Sequence, residues 1–319
     1  MTLPGRPKKA IEAMLSRLGY SLRRREEMIR VGNEVAVLRE RVRQLAQEVL
    51  ASGRKTPALA DIVPFNGFSD DPVKLPLIDL LPDDDLDLLN RLLPWAAFVV
   101  DQRGRRFGNA WSETKRNVPQ KIPDPRIVEL DRRFPLRHRT VLEIGCFEGI
   151  HTIALAQRAA RVAAVDSRIE NVVKTIVRCA MAGVHPLVLP WNVEGPPPSI
   201  LDPSWDIVHH VGVLYHLNDP VDHLRRISRL VRDAMMLDTH VAADGATDSE
   251  YQSGGQRHRY YRYREGPRVE PFAGMADHAK WLILDDLKEL LSNCGFRNVD
   301  VAGLTMERNG PRVLIYASR

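Results

Sequence analysis

The sequence predicts an α/β fold in which a doubly wound, mainly parallel sheet begins at about residue 120. A short apolar strand, a glycine turn and a helical segment follow one another within residues 140–158. A second apolar strand ends at Asp166, and further apolar runs at Trp205–Val211 and residues 234–240 alternate with segments of helical periodicity. Strands that alternate with helices in this way are typical of parallel sheets that helices cover on both faces.

The first 55 residues are basic and carry helical patterns. They contain 13 lysines and arginines against six acidic residues. Residues 7–18 indicate a short basic amphipathic helix, and a heptad seam occupies residues 28–49. The seam favours a parallel coiled-coil homodimer, with a helix that packs on its own domain as the alternative. The basic arm predicts attraction to nucleic acid or a membrane surface, and a solvated helical face is the alternative.

Residues 56–119 are predicted to form a linker and a helical lid, between the coiled-coil region (1–55) and the sheet domain (120–319). Prolines are frequent up to Pro82, after which three aspartates begin a helix that continues to Leu93. The polar segment 107–116 directly precedes the first strand of the sheet, where such segments often cover a ligand. We therefore expect Trp111 and Arg116 to contact the substrate, with a packed lid residue as the alternative for Trp111.

The composition indicates an ordinary globular protein, since 44% of the 319 residues are hydrophobic and 27% are charged. No apolar run approaches the roughly 20 residues that span a bilayer, and the N-terminus lacks the apolar core of a signal peptide. We therefore expect a cytoplasmic protein without a membrane span. The cysteines Cys146, Cys179 and Cys294 are widely spaced, which predicts reduced thiols and no metal site.

The turn after the first strand has the features of a nucleotide site. Gly145 and Gly149 have no Cβ atom, so the backbone can approach a ligand closely. Asp166 ends the next strand, about where a nucleotide-binding unit places the acid that receives hydrogen bonds from the ribose. Two carboxylates at the turn, Glu143 and Glu148, would repel a phosphate. They indicate a positively charged cofactor such as S-adenosylmethionine, and a turn without a ligand is the alternative.

These motifs resemble the class I S-adenosylmethionine-dependent methyltransferases over roughly residues 140–319. The resemblance implies a Rossmann-like sheet of seven strands that ends in a reversed edge hairpin, here at residues 299–302 and 313–317. The residues expected to contact the cofactor are Glu143, Gly145, Cys146, Phe147, Gly149, Asp166, Ser167, Asn192, Val193, Glu194, Val211 and Tyr215.

A second resemblance concerns the tRNA wobble-uridine carboxymethyltransferase family. It rests on three segments: Leu189-Pro-Trp-Asn-Val-Glu194, Gly212-Val-Leu-Tyr-His216 and Val221-Asp-His-Leu224. By this resemblance Val193 and Glu194 would hold the adenine, and Asp166 and Ser167 would hold the ribose. Tyr215 would hold the cofactor tail or the substrate.

The chain departs from that family at three positions. Leu217 and Asn218 stand where the family carries basic residues that receive the extra carboxylate of its cofactor. Phe147 replaces the middle glycine of the first motif. We therefore expect a relative that uses ordinary S-adenosylmethionine.

Methyl transfer to a hydroxyl group needs a base that takes the proton, or a metal ion that makes the hydroxyl more acidic. His216 follows the fourth strand, and Asp238 and His240 share one face of the fifth because they are two residues apart. We expect one of the two histidines to be the base, with a structural role as the alternative. Asp238 and His240 could also bind Mg²⁺, but two ligands do not define a metal site.

The insertion at residues 241–280 is rich in arginine, tyrosine and histidine. Such side chains can stack on sugars or bases and pair with phosphate or carboxylate. The insertion therefore predicts a substrate cap with contacts from Arg262 and Arg264, and a surface hairpin is the alternative.

The cap and the heptads together resemble methyltransferases that modify polysaccharides or glycosylated natural products. We therefore expect O-methylation of a sugar, a glycan or another hydroxyl-bearing small molecule. One alternative is a tRNA-modifying (carboxy)methyltransferase, which the basic arm and the cationic cap favour. The other is a non-catalytic scaffold that keeps the fold and assembles through its heptads.

Overall fold

The computed structural model describes residues 78–109, 118–243, 245–247 and 249–319. The predicted basic helix, the heptad seam and the proline-rich linker before residue 78 lie outside these residues. So do the substrate candidates Trp111 and Arg116. The roles of these segments and side chains stay predictions.

The described chain alternates strands and helices as the sequence predicts. Its helices are α1 (Asp83–Leu92), α2 (Pro125–Arg133), α3 (Ile150–Ala156), α4 (Ile169–Met181), α5 (Pro220–Ser228) and α6 (Leu284–Asn293), with 3-10 turns at Leu136–His138 and Leu214–His216. Its strands are β1 (Phe98–Val100), β2 (Arg106–Gly108), β3 (Thr140–Ile144), β4 (Arg161–Asp166), β5 (Leu187–Pro190), β6 (Trp205–Val211), β7 (Val231–His240), β8 (Ser249–Ser253), β9 (Gln256–Arg264), β10 (His278–Leu282), β11 (Asn298–Glu307) and β12 (Gly310–Ser318). Within these residues, no helix is long and apolar enough to cross a bilayer.

Seven strands form the central sheet in the order β11–β12–β7–β6–β3–β4–β5. The strands β5, β4, β3, β6 and β7 are parallel, and the hairpin of β11 and β12 joins β7 in the antiparallel direction. This confirms the predicted doubly wound sheet with a reversed edge hairpin. The chain changes direction of winding between β3 and β6, and the carboxyl ends of these two strands open the crevice that binds ligands in such folds.

Both faces of the sheet are buried, because alternate residues of each strand point to opposite faces. Leu142 and Ile144 of β3 belong to one apolar cluster together with Val208 of β6. Val141 faces the other way, into a cluster that includes Leu130 of α2. Because helices cover both clusters, the faces of the sheet are apolar. Polar residues that can reach a ligand therefore lie at the ends of the strands.

Residues 78–108 pack on the same domain as the sheet. Phe107 is fully buried and meets Trp95 edge to face, with the ring centroids 5.2 Å apart. Both rings join a cluster with Ile153 of α3 and Cys179 of α4. The sequence reasoning missed the hairpin of β1 and β2 because each strand has only three residues. The segment expected to be a polar cover at residues 107–116 therefore begins inside a buried strand.

The insertion after β7 forms a second, three-stranded antiparallel sheet in the order β10–β9–β8. We call this sheet and the segment 265–277 between β9 and β10 the cap. Tyr251 and Tyr260 direct one face of the cap sheet toward the main core. Trp281 of β10 donates a hydrogen bond to the carbonyl of Tyr215, 2.7 Å away. The cap is thus anchored on the turn that follows β6.

Candidate active site

A cavity opens at the carboxyl ends of β3, β4 and β6, beneath the cap. All of the residues expected to contact the cofactor line it except Gly149, which lies one turn behind the cavity wall. The lining members of that set are Glu143, Gly145, Cys146, Phe147, Asp166, Ser167, Asn192, Val193, Glu194, Val211 and Tyr215.

The glycine turn after β3 is fixed by close packing. Gly145 has φ +79°, and a Cβ atom at this position would lie 2.2 Å from the side chain of Val213. Gly149 has φ +81°, and its Cβ atom would lie 3.1 Å from the Cα atom of Thr175 in α4. Any other residue would strain the backbone at both positions. Phe147 has φ +50° and stacks on Phe272 of the cap, with the ring centroids 5.4 Å apart.

Asp166 is held rigidly at the end of β4. One carboxylate oxygen accepts from the backbone N–H of Phe147 at 3.0 Å. The other accepts from the N–H of Arg168 at 2.9 Å and from the Asn171 side chain at 3.1 Å. Burial raises the pKa of this carboxyl above its ordinary value, and these hydrogen bonds oppose the rise. The carboxylate thereby faces the cavity in a fixed orientation, suited to receive the hydroxyls of a ribose.

The loop after β5 is anchored by helix α5. The ring of His223 donates a hydrogen bond to the carbonyl of Val193, and Arg226 donates to the carbonyls of Glu194 and Gly195 at 3.0 and 2.6 Å. The Glu194 carboxylate accepts from the backbone N–H groups of Asn218 and Asp219 at 2.8 and 3.1 Å. The loop predicted to hold adenine is therefore held in place by residues 218–226, the start of helix α5 and the residues just before it.

The two acids of the glycine turn have different surroundings. Glu143 lines the cavity and is buried, which raises the pKa of its carboxyl to about 8. The hydroxyl of Thr152 donates to it at 2.6 Å. The expectation that Glu148 also faces the ligand is wrong, because its carboxylate points into the protein.

Glu148 instead links the turn to the segment before β1. It accepts from the backbone N–H groups of Ala96 and Ala97 at 2.7 and 3.0 Å. The Lys174 ammonium donates to it at 2.8 Å, and the guanidinium of Arg178 lies 3.5 Å away. All three charged side chains are almost completely buried. A buried charge needs such partners, so Glu148 is a structural residue.

His216 lies on the 3-10 turn after β6 and lines the cavity. Its Nδ1 lies 2.8 Å from a carboxylate oxygen of Glu265, which is buried at the start of the cap segment. The second oxygen of Glu265 accepts from the backbone N–H of Gly274 at 2.7 Å. When Nδ1 donates to the carboxylate, Nε2 is left as an acceptor. No local sequence pattern identifies Glu265, because the pair forms between segments that are distant in sequence.

Asp238 and His240 lie behind the cavity wall and do not line it. The Asp238 carboxylate is bound on one side by Arg126, at 2.6 Å, and on the other by Arg312. The ring of His240 stacks on Trp281 with the centroids 4.8 Å apart, and its Nδ1 donates to the carbonyl of Pro311 at 3.1 Å. Burial lowers the pKa of His240. Both side chains are therefore engaged with protein partners.

Several cavity residues were missed by the sequence reasoning. Arg126 comes from α2, His151 from the start of α3 and Arg312 from β12, and Phe272 reaches over from the cap. Arg168 fixes the cap segment by donating to the carbonyls of residues 268 and 273 at 2.5 and 2.8 Å. These contributions come from elements that are far apart in sequence, so no local motif could have identified them.

One group of side chains has the composition of a metal site. Glu143, His151 and His209 bring possible ligand atoms within 4.8 Å of one another, and no other such trio occurs in the described parts of the chain. However, a guanidinium nitrogen of Arg126 lies 3.3 Å from Nε2 of His151. This positive charge opposes a divalent cation, and we assign no metal. Asp238 and His240 belong to no such group among the described residues.

The described residues that we expected to contact the substrate line two neighbouring pockets. Tyr215 lines the cavity, next to His216. Arg262 and Arg264 line a second groove, on the cap, which shares Met275 with the cavity. Their roles in substrate binding stay predictions.

A family model described as a methyltransferase domain matches residues 88–301. The chain belongs to this methyltransferase family. The match confirms the predicted class of enzyme, and it begins within the stretch that we expected to be a linker and lid. The predicted boundary between that stretch and the sheet domain stays a prediction.

Two curated relatives are tRNA U34 carboxymethyltransferases. That of Shewanella baltica (strain OS155 / ATCC BAA-1091) is 37% identical over 151 residues, which are 46% of this chain and 41% of the relative. That of Shewanella loihica is 33% identical over 150 residues, which are 46% of this chain and 42% of the relative. The similarity thus spans less than half of the length of these relatives.

A solved structure supports the fold. The crystal structure of the N-terminal domain of EvdMO1 in the presence of SAH and D-fucose superposes with a TM-score of 0.62 at 22% sequence identity. The match covers 75% of this methyltransferase and 97% of that domain. At this identity the likeness concerns the fold.

Proposed function

We propose that this methyltransferase transfers the methyl group of S-adenosylmethionine to a hydroxyl oxygen, with His216 as the general base. The observation that carries the proposal is the hydrogen bond between His216 and the buried Glu265 at the wall of the cavity. A histidine that donates one ring nitrogen to a carboxylate presents the other as a base.

The chemistry of the cavity supports S-adenosylmethionine as the cofactor. Asp166 is placed to receive the ribose hydroxyls, and the anchored loop at Val193 provides an apolar surface for adenine. Glu143 supplies a carboxyl group near the glycine turn, where a positively charged ligand would favour its ionised form. The turn lacks the middle glycine of a pyrophosphate-binding loop, since Phe147 occupies that position.

The side chains of the acceptor side define the rest of the reaction. The bound cofactor would supply a methyl group on a positively charged sulfur. His216 would take the hydroxyl proton at Nε2 while the acceptor oxygen bonds to that methyl group and the methyl–sulfur bond breaks, with its electron pair left on the sulfur, which becomes neutral. Glu265 would hold the ring in the required tautomer and stabilise the positive charge that the ring acquires. Phe272 and the cap segment would exclude water from this step.

A sugar or a related small hydroxyl compound is the acceptor we propose first. The rings of Tyr215 and Phe272 line the cavity together with His216. Aromatic faces of this kind bind the apolar faces of sugars. The EvdMO1 domain was crystallised with D-fucose, so deoxyhexoses are sensible members of a first acceptor panel.

The test compares His216→Asn with His240→Asn. Release of S-adenosylhomocysteine is first measured with a panel of sugars, glycans and small alcohols to find an acceptor. We expect His216→Asn to lower kcat by about 10² to 10⁴, the usual contribution of a general base, and His240→Asn to have a much smaller effect. Glu265→Gln should lie between them. Equal kcat for wild type and His216→Asn, with cofactor binding intact in both, would refute the assignment.

A tRNA-modifying (carboxy)methyltransferase is the second candidate. The curated relatives favour it, and so do the two guanidinium groups of Arg126 and Arg312 in the cavity wall, which could attract an additional carboxylate on the cofactor. Titration of the full chain with unmodified tRNA at two salt concentrations tests this candidate. Tight binding that weakens steeply with salt supports it, and no measurable binding excludes it.

We also propose, from the sequence alone, that residues 28–49 join two copies of the chain and that the enzyme acts in the cytoplasm. The heptad spacing and the pairing of Glu34 and Arg39 at the flanks of the seam support the dimer. Sedimentation equilibrium of the full chain should give a dimer, and disruption of the seam by Leu38→Asp should give a monomer. A wild-type monomer at micromolar concentration would contradict the proposal.

A further inference from the structure

A groove of about 770 Å³ runs along the cap next to the cavity. Its walls include three arginines: Arg262 and Arg264 at the end of β9, and Arg268 in the segment that follows. Glu265 and Met275 lie at the groove and Met275 also lines the cavity. A ligand in the groove could therefore extend to His216.

The three guanidinium groups form no ion pair with any carboxylate of the described residues. The two acids that line the groove have other partners: Glu265 binds His216 and Gly274, and Asp277 lies 2.6 Å from the ring of His278. The hydrogen bond from His278 and, more weakly, the charge of Arg262 lower the pKa of the Asp277 carboxyl. Other arginines of this protein behave differently. Arg259, on the same strand, is paired with Asp286 at 2.6 Å, and Arg257 lies 3.3 Å from Glu250.

The pairing of the cap strands adds to the positive charge. Arg262 lies directly opposite Lys280 in the antiparallel ladder of β9 and β10. Like charges in opposite positions destabilise a sheet. The Lys280 ammonium is held by the carbonyl and side chain of Asn218, and burial lowers its pKa. The strand thus carries an unfavourable charge arrangement that a bound anion would relieve.

We propose that this groove binds a phosphate group of the acceptor and so positions a hydroxyl at His216. The proposal rests on the methyl transfer proposed above and specifies its substrate class as a phosphate ester. Arginine suits this task because its planar fork of N–H donors matches the oxygens of a phosphate. Two sources share this chemistry: the diphosphate of a nucleotide-linked sugar, and the backbone of a nucleic acid.

The test measures binding without turnover, by calorimetry on the full chain. The probes are inorganic pyrophosphate, uridine diphosphate and a short single-stranded RNA. The variants are the double substitution Arg262→Ala/Arg264→Ala and the matched control Arg257→Ala, which removes a guanidinium from the same strand outside the groove. Each protein is also titrated with S-adenosylhomocysteine, which reports whether the fold and the cofactor cavity are intact.

We expect wild type and Arg257→Ala to bind at least one probe equally well, and the double variant to bind it about tenfold or more weakly, with unchanged affinity for S-adenosylhomocysteine. Preference for uridine diphosphate identifies a nucleotide-linked acceptor, and preference for RNA identifies a nucleic acid. Failure of all three probes to bind wild type overturns the proposal, as does equal binding by the double variant. Because no turnover is needed, the groove can fail while methyl transfer stands, and the converse also holds.

Discussion

The wall of the cavity has two parts that are assembled in different ways. The part that we propose to hold the cofactor, called the cofactor part, consists of the loops after β3, β4 and β5, with Gly145, Asp166 and Val193 as their central residues. The part that we propose to hold the acceptor, called the acceptor part, joins His216 to Arg126, Arg312 and the cap, which come from separate elements. Three consecutive strand ends thus supply the first part, whereas the second depends on the complete fold.

The two parts also differ in charge. The cofactor part presents the carboxyl groups of Asp166 and of Glu143, whose pKa burial raises to about 8, so that a positively charged ligand would favour its ionised form. The acceptor part contains Arg126 and Arg312, which are paired with Asp124 and Asp238, and the groove on the cap adds arginines without such partners among the described residues. This arrangement suits a cofactor with positive charge on one side and an anionic acceptor on the other.

The largest expected effect is a loss of stability when Glu148, which links the glycine turn of the cofactor part to the segment before β1, is replaced. Glu148→Gln leaves Lys174 and Arg178 buried without a counter-charge, which costs about 3–5 kcal/mol of unfolding free energy. Urea unfolding measures this loss. The exposed substitution Glu289→Gln should change stability by less than about 0.5 kcal/mol. Equal stability of wild type and Glu148→Gln would show that the buried network does not support the turn.

The second-largest expected effect is a loss of cofactor affinity that leaves phosphate binding on the cap unchanged. Asp166→Asn removes the carboxylate that would receive two ribose hydrogen bonds, so we expect affinity for S-adenosylhomocysteine to fall about 100-fold. Phosphate binding to the cap groove should not change. Asp202→Asn, at an exposed ion pair with Arg161, is the control and should bind like wild type. If Asp166→Asn keeps wild-type affinity, the ribose lies elsewhere.

The third effect concerns Glu143, the buried acid of the cofactor part, which should make the stability of the protein depend on pH. Burial raises the pKa of Glu143 to about 8, so the folded protein keeps a proton that the unfolded chain releases in the ordinary carboxyl range. Stability should therefore fall as pH rises from about 5 to about 8, by at most about 1.4 kcal/mol per pH unit. In Glu143→Gln this contribution should vanish. An identical pH slope in the two proteins would contradict the assignment.

The smallest effect concerns the contact that joins the two parts. Phe272→Ala removes the ring that stacks on Phe147, which should weaken cofactor binding about threefold to tenfold. The control Val269→Ala changes an exposed residue of the same segment, which is 90% exposed, and should have no effect. Unchanged affinity in Phe272→Ala would mean that the cap does not cover the cofactor.

Sequence patterns were sufficient to predict the sheet and to find the residues that line the cavity after β3, β4 and β5. The strand–turn–helix at β3 and the acid that ends β4 are local patterns, and parallel winding brings the strand ends together. The direction of a side chain was harder to predict. Glu148 stands in the same turn as Glu143 but points into a buried network, because Ala96, Ala97 and Lys174 reach it from distant positions.

The acceptor part could not be predicted from the sequence, because its contacts also join residues that are distant in the chain. Glu265 pairs with His216 across the cap, and Arg126 and Arg312 meet at Asp238 from opposite ends of the domain. The histidines His216 and His240 looked equivalent as candidate bases. Their surroundings distinguish them, since His240 is covered by Trp281 whereas His216 lines the cavity.

The most direct test of the account is titration of the purified full chain with S-adenosylmethionine and with its carboxylated analogue, by calorimetry. We predict that S-adenosylmethionine binds one site per chain and more tightly than the analogue, and that Asp166→Asn weakens this binding about 100-fold. Tighter binding of the carboxylated form would contradict the proposed O-methylation and favour tRNA carboxymethylation. Binding of neither ligand would contradict the assignment of the cavity.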